Sequence, residues 1–380
     1  MAEIKNLKKA ANRILKAVES GERIVLYGDA DVDGISSIMI IEEGIEQLGG
    51  RVADVYFIDR EKEGYGINQI GLNYLKKHAP ALFIVADCGI GNFKEVELAL
   101  KMGFEVIIID HHEVLGKLPR ASIIVDPKQN QDRYPFKEMA CVGICYKLVQ
   151  ILLSKEKKWL APERFLELAA LGTVADQMPQ VDDNRKLISE GILALGYTQR
   201  VGLKALMELT NFKNESQEEL RQKIISPLNS AEPQDHSNQI YLLLKENDLQ
   251  KAKKIAKTLL ENSERKREDI QRIYEEAEER VELSSGPIVF EGDPSWHLIL
   301  LGPVASRLCQ KYQKPIFLYR IDDESSQGAV RTPVGIDGVK IMRSCDKLLE
   351  TYGGHPLAAG FKIKNDNLEK FKLCLTKGLT

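Results

Sequence analysis

Four short apolar runs, each ending on an acidic residue, constrain this chain more than any other feature. RIVLYG runs into Asp29, ALFIVA into Asp87, EVIII into Asp110 and SIIV into Asp126. Uninterrupted runs of this length read as strands buried on both faces, and segments such as FKEVELALKMG between them have helical spacing. The alternation predicts an α/β fold with a mostly parallel sheet. In such folds ligands gather beyond the carboxyl ends of the strands, where these four carboxylates fall.

The flanking segments extend this plan. Residues 1–20 read as a helix and ADVYFID as a further strand. From Gly143 to about Thr210 the chain looks helical, interrupted at LGTVADQMPQVDDN, and residues 210–240 read as short helices and loops. Leu249, Ala252, Ala256, Leu259, Ile270, Ile273, Ala277 and Val281 recur at three- or four-residue spacing, which predicts one long amphipathic helix, or two, over 245–284. Its charges alternate in sign, the mark of a solvated face rather than a nucleic-acid stripe. A second, smaller α/β unit begins at PIVF. HLILLG, PIFLYR, GAVRTP and AAGFKI read as strands, and PVASRLCQKY and VKIMRSCDKLLETYG as helices. The expected domains are 1–244, a connecting helix 245–284, and 285–380, with the boundary near Ser285.

A chain of 380 residues is long enough for two such domains. No run of about 18 apolar residues occurs, so no membrane span is expected, and the amino-terminal segment lacks a secretory signal. Of six cysteines, only Cys141 and Cys145 are close enough to suggest a pair, and their spacing on an apolar helix reads as two buried thiols. A reducing, cytoplasmic location is expected. The net charge of −3 neither demands nor forbids nucleic acid, since a local positive groove suffices.

The chemistry concentrates in two stretches. Gly28-Asp29-Ala30-Asp31-Val32-Asp33-Gly34 places three carboxylates at alternate positions directly after a strand, and they can converge on a hard cation if the loop curls. An EF-hand is excluded, because the position that needs its bidentate glutamate is Ile40. Asp110-His111-His112 is the sharper signal. Adjacent histidines at a sheet edge point in different directions, so that one can ligate a metal while the other meets the substrate or a second ion. Asp87 after FIVA and Asp176 after GTVA complete the set, each expected at a strand or loop end. Mixed carboxylate and imidazole donors suit Mn²⁺ or Mg²⁺, and two ions could activate water and neutralise a phosphate. No GxSxG or Walker sequence competes for the catalytic role.

YGDADVDG (27–34), VADCGI (85–90), IDHHE (109–113), VDPKQ (125–129), ALGTVADQMP (170–179) and GGHPLAAG (353–360) run through the chain in an order that resembles the DHH phosphoesterase superfamily, and within it the RecJ-type single-strand exonucleases. The resemblance implies a catalytic DHH domain, a connecting helix and a smaller DHHA1-type domain, with substrate held between the two domains. By position it makes Asp31, Asp33, Asp87, Asp176 and the pair His111-His112 metal ligands. Asp29, in the same first motif, ligates or supports the loop, while Asp110 orients a histidine. Related enzymes often have His where this chain has Tyr27, a poorer ligand. Arg307, Arg331 and His355 match substrate-contacting positions, and Gly353-Gly354 allows close approach of the backbone to a nucleotide. PLNSAEPQD (227–235) matches the family's PxxNAAGR segment only loosely.

The function so implied is metal-dependent phosphodiester hydrolysis, 5′ to 3′ on single-stranded DNA, with single-strand-binding, repair or replication proteins as partners. The alternatives are an oligoribonuclease or phosphoesterase for short RNA, phosphoadenosine phosphate or cyclic dinucleotides, and a catalytically weak replication-associated binding protein. The 20 residues after Gly360 hold a strand and a helix but no OB-fold, so limited processivity is expected.

Overall fold

The computed structural model describes residues 3–114, 116–155, 163–214, 216–282 and 286–378. The chain divides into two units, Met1–Ser263 and Glu264–Thr380. The boundary expected near Ser285 lies outside the described residues.

The first unit opens with helix α1 (Leu7–Glu19), strand β1 (Ile24–Gly28), α2 (Val32–Gln47) and β2 (Val52–Phe57). There follow α3 (Gln69–Leu75), β3 (Ala81–Ala86), α4 (Phe93–Lys101), β4 (Phe104–Ile109) and β5 (Ile123–Val125). The five strands form one parallel sheet in the order β2-β1-β3-β4-β5. Strand side chains alternate between faces, and here each face has its own core. Ile24, Leu26, Leu82, Ile84, Ile107 and Ile109 pack on one side, with Ile35 and Ile38 of α2. Val25, Tyr27, Phe83, Val85, Val106 and Ile108 pack on the other, with Leu72 of α3 and Val96 of α4. Burial on both faces is why β1 and β3 carry no charged residue and β4 carries only Glu105, near its start.

Helices α5 (Cys141–Lys155), α6 (Glu163–Ala175), α7 (Asp182–Leu195) and α8 (Val201–Leu209) come next. After them lie the short helices α9 (Gln217–Leu220) and α10 (Ser226–Leu228), the hairpin of β6 (Pro233–Gln234) and β7 (Ser237–Asn238), and α11 (Gln239–Lys245). A single 34-residue helix, α12 (Leu249–Glu282), contains the unit boundary. Ala252, Ala256 and Leu259 belong to the core of the first unit, and Ile273, Ala277 and Val281 to that of the second. No helix among the described residues is long and apolar enough to cross a membrane.

The second unit contains β8 (Val289–Asp293), α13 (Leu298–Tyr312), β9 (Ile316–Ile321), β10 (Ser325–Arg331), α14 (Gly338–Ser344), β11 (Leu349–His355), β12 (Ala358–Lys364) and α15 (Leu368–Lys377). Its sheet runs β11-β12-β10-β9-β8, antiparallel except for β8 beside β9.

Three readings of the sequence are corrected here. HLILLG is the start of α13, not a strand. Leu300, Leu301, Val304, Ala305 and Leu308 are buried at helical spacing, and Gly302-Pro303, which reads as a break, lies within the helix. The helix expected over VKIMRSCDKLLETYG stops at Ser344, and Leu349 begins an edge strand. Finally, Cys345 and Cys374 form a disulfide between residues 29 apart. Spacing gave no hint of this pair, and the expectation of reduced thiols fails for it. Cys141 and Cys145 remain free and buried on α5.

Candidate metal centre

The carboxyl ends of β1, β3 and β4 place Asp29, Asp87 and Asp110 side by side, because the parallel register pairs Gly28 with Ala86 and Ala86 with Ile109. Asp87 takes φ +64°, a left-handed conformation uncommon for a residue with a β-carbon. Such strain, held by the surrounding structure, is a mark of functional positions. Asp176 is the exception to the strand-end reading, since it follows the last residue of α6.

Each remaining carboxylate is aimed by backbone amides. Asp31 is the N-cap of α2, its Oδ1 accepting from Gly34 N at 3.0 Å. Asp33 accepts from Cys141 N and Val142 N at 2.9 and 2.8 Å, so the amino terminus of α5 holds it. Gly34 is required for close approach, since a β-carbon there would stand 2.6 Å from the Asp29 carbonyl oxygen.

These residues converge on His111, which is 1 % exposed. Its Nε2 stands 3.2 Å from Asp87 Oδ1, 3.6 Å from Asp176 Oδ2 and 3.8 Å from Asp33 Oδ2. The ligand atoms of Asp33, Asp87 and His111 lie within 4.8 Å of one another. Asp87 Oδ1 and Asp176 Oδ2 are buried and accept no hydrogen bond from the described residues. Burial, with Asp176 and Asp31 nearby, pushes Asp33 well above the usual carboxylate range. Burial and its acidic neighbours, Asp33 first, do the same to Asp87. Burial and Asp31 raise Asp176 to about 7. Carboxylates that resist ionisation together are what a divalent cation would stabilise, and the donor set fits Mn²⁺ or Mg²⁺.

Asp110 does different work. Its Oδ1 accepts from the His111 and His112 amides at 2.8 and 3.2 Å and lies 2.7 Å from His112 Nδ1, while Oδ2 accepts from Ile90 N at 3.0 Å. Burial disfavours the imidazolium of His112, but Asp110 outweighs it and raises that group to about 9. Asp110 thereby favours the charged form of His112. Tyr27 takes no part. It faces the opposite core, stacks on Tyr56 at 5.3 Å, and donates to Gly66 O at 3.0 Å.

Two residues of the site have no counterpart in the sequence reading. Arg60, after β2, donates to both oxygens of Asp29 and to Asp31. Tyr65, 53 % exposed, donates to Asp87 O at 3.0 Å, and its hydroxyl lies 3.2 Å from His112 Nε2. The one available signal was Asp29 itself, a buried acid that requires a counter-ion.

The other candidate positions lie in the second unit. In register, Arg331 on β10 and His355 on β11 both pair with Ala358 of β12, so they share one end of the sheet. Arg331 donates to Ser306 Oγ at 3.0 Å and to Val330 O at 2.9 Å, and no carboxylate among the described residues reaches it. It lines a cleft with Ser306, Cys309, Thr332 and Val334. Arg307 is exposed on α13, with Cζ 4.3 Å from the Tyr274 ring centre and Nη2 donating to Gln271 Oε1 at 3.0 Å. Gly353 precedes Gly354, whose φ is +126° and whose added β-carbon would stand 2.6 Å from Ala358 O.

An acidic cluster with paired histidines at the ends of a parallel sheet, followed by a unit bearing basic side chains, defines a phosphoesterase class. Residues 23–173 match the DHH family N-terminal domain and residues 285–376 the DHHA1 domain. The chain belongs to the DHH/DHHA1 superfamily, with a core of the RecJ type. It is 34 % identical over 373 residues to the single-stranded-DNA-specific exonuclease RecJ of Bacillus subtilis, an alignment covering 96 % of this chain and 47 % of the relative. A solved exonuclease RecJ bound to manganese superposes with TM-score 0.79 at 28 % identity, over 99 % of this chain and 94 % of that one. RecJ from Thermus thermophilus in complex with Mn²⁺ superposes with TM-score 0.81 at 25 % identity, over 98 % and 54 %. The chain spans about half the length of the curated relatives it matches.

Proposed function

We propose that the protein is a divalent-metal-dependent phosphodiesterase that removes nucleotides from the 5′ end of single-stranded DNA. The observation that carries the reading is the closure of three carboxylate oxygens within 3.8 Å of His111 Nε2, two of them buried with no hydrogen-bond donor among the described residues. Asp31, Asp33, Asp87, His111 and Asp176 would hold Mn²⁺ or Mg²⁺, in a two-ion arrangement. When bound, such ions supply a hydroxide-like water and neutralise phosphate charge.

The side chains account for the rest of the chemistry. His112, kept as an imidazolium by Asp110, carries the proton that a departing sugar oxygen needs. Asp33, clamped by two amides of α5, is fixed before any ligand arrives, so little reorganisation accompanies binding. In the second unit, Arg331, which meets no acid among the described residues, and Arg307, with its Cζ 4.3 Å from the Tyr274 ring centre, offer guanidinium forks to phosphate oxygens. His355 and the Gly353-Gly354 backbone line the same sheet end as Arg331 and would meet the adjoining nucleotide. The protein acts in the cytoplasm beside single-strand-binding and repair proteins.

The test is incubation of labelled single-stranded DNA, RNA, dinucleotides and cyclic dinucleotides with Mn²⁺ or with chelator. Progressive loss of 5′-terminal nucleotides from DNA, abolished by chelator, is expected. Turnover in chelator overturns the metal reading. Preference for dinucleotides or short RNA overturns the DNA assignment in favour of a nucleotide phosphoesterase.

A further inference from the structure

Of the donor groups that overlap at Asp87, two do not involve His112. One is Asp33, Asp87 and His111, and the other is Asp29, Asp31 and Asp87, whose ligand atoms also lie within 4.8 Å of one another. By charge alone either could hold an ion. They differ in what already stands there.

Asp29 is fully buried, and both its oxygens are taken. Arg60 donates through Nε to Oδ1 at 2.6 Å and through Nη2 to Oδ2 at 2.5 Å, and Ala30 N adds a third bond to Oδ1 at 2.6 Å. The same Nη2 reaches Asp31 Oδ2 at 2.8 Å. A forked pair of this kind is among the strongest charge-assisted contacts a carboxylate can make. Separating it would leave a guanidinium beside a metal cation and strip a buried acid of its partner, which is strongly unfavourable. Asp31 is placed differently. Oδ1 caps α2, while Oδ2 accepts a single bond from Arg60 and keeps a lone pair for another ligand.

We infer that Asp29 is a positioning residue for Arg60 rather than a metal ligand, and that the Arg60 guanidinium occupies the cation place of the Asp29–Asp31–Asp87 group. The protein thus supplies one of the positive charges of its own site. Arg60 limits how many ions the cluster takes up and fixes the direction of Asp31 Oδ2. The inference rests on the metal-centre reading proposed above.

Mn²⁺ titration of the full chain, read by electron paramagnetic resonance, tests it independently of hydrolysis. D29N should bind as many ions as the wild type, with affinity weakened by no more than the roughly 10- to 100-fold typical of residues outside the coordination shell. D87A, the reference for a true ligand, should bind fewer. R60Q should bind an additional ion, or bind Mn²⁺ at least about tenfold more tightly, because it frees Asp29 and removes a positive charge. D29N/R60Q should return to the wild-type number, as should R60K, which keeps one positive charge. Hydrolysis by R60Q should fall although its metal load is higher. Loss of an ion in D29N to the extent seen in D87A, or unchanged Mn²⁺ binding in R60Q, overturns the inference. Equal binding by wild type and D87A overturns the metal-centre reading, and this inference with it.

Discussion

The two units solve opposite electrostatic problems. In the first, acids at the ends of parallel strands are buried against one another and lack enough positive charge. In the second, Arg331 at the end of β10 and Arg307 on α13 meet no acid among the described residues. Under the proposed function, one arrangement would take a cation and the other a phosphate. The difference shows in what holds each set of side chains in place. The first relies on amides and on Arg60, and leaves several carboxylates resisting ionisation. The second leaves its guanidiniums partly solvated, and its unit carries a covalent brace between Cys345 and Cys374.

The sharpest way to break this contrast is at Asp87. D87A, or H111A, should lower hydrolysis by well over the roughly 100-fold typical of outer-shell changes, while the chain stays folded. Circular dichroism and single-turnover assays check both halves, and retained turnover in both variants would end the assignment. The brace comes next. A disulfide closing a loop of this length contributes about 3–4 kcal/mol in the chain-entropy account. C374S should therefore speed hydrogen exchange across β10–β12 and leave β1–β5 unchanged, and uniform exchange in the two forms would show that the brace is dispensable. Arg331 follows. R331A removes a charge-assisted contact worth about 1.5–3 kcal/mol, so KM should rise about 10- to 100-fold with Mn²⁺ binding unaltered. A parallel loss of Mn²⁺ would erase the division of labour between the units.

The smallest effect is a proton count. Asp176, raised to about 7, is protonated at pH 6 in the metal-free protein and must lose that proton to ligate. Mn²⁺ binding should release protons at pH 6, release fewer above pH 8, and tighten as pH rises through about 7. The same shift bears on stability. A carboxyl raised on folding favours the folded state least above its folded value, so the metal-free protein loses that contribution as pH rises through about 7. Calorimetry in buffers of different ionisation enthalpy reads the count directly, and no difference between pH 6 and pH 8 would contradict it.

Much of the first unit was legible because strands buried on both faces leave few polar positions to confuse the pattern. Ile107, Ile108 and Ile109 could only be interior strand, so what followed them had to stand at the sheet edge. Asp29, Asp87 and Asp110 are all found there. Asp176 was found by its motif, but its seat is a helix end, which apolar periodicity does not distinguish over so short a run. In the second unit the sheet has helices against it and glycines within it, and the pattern blurs. HLILLG is apolar at almost every position and reads equally as strand or helix, and only the burial of Leu300, Leu301 and Val304 decides it. Arg60 and the Cys345–Cys374 link were invisible for a common reason. Both depend on partners distant in sequence and carry no local spacing.

The left-handed backbone at Asp87 reaches beyond catalysis into how such a protein responds to selection. A position at φ +64° favours glycine or asparagine over aspartate, and losing the carboxylate also relieves its repulsion with Asp33. A library screened for heat resistance in chelating buffer should therefore enrich D87G and D87N. Those are the substitutions that disarm the site. Stabilising this scaffold safely means selecting with metal present, so that the ion rather than the mutation offsets the repulsion between Asp87 and Asp33.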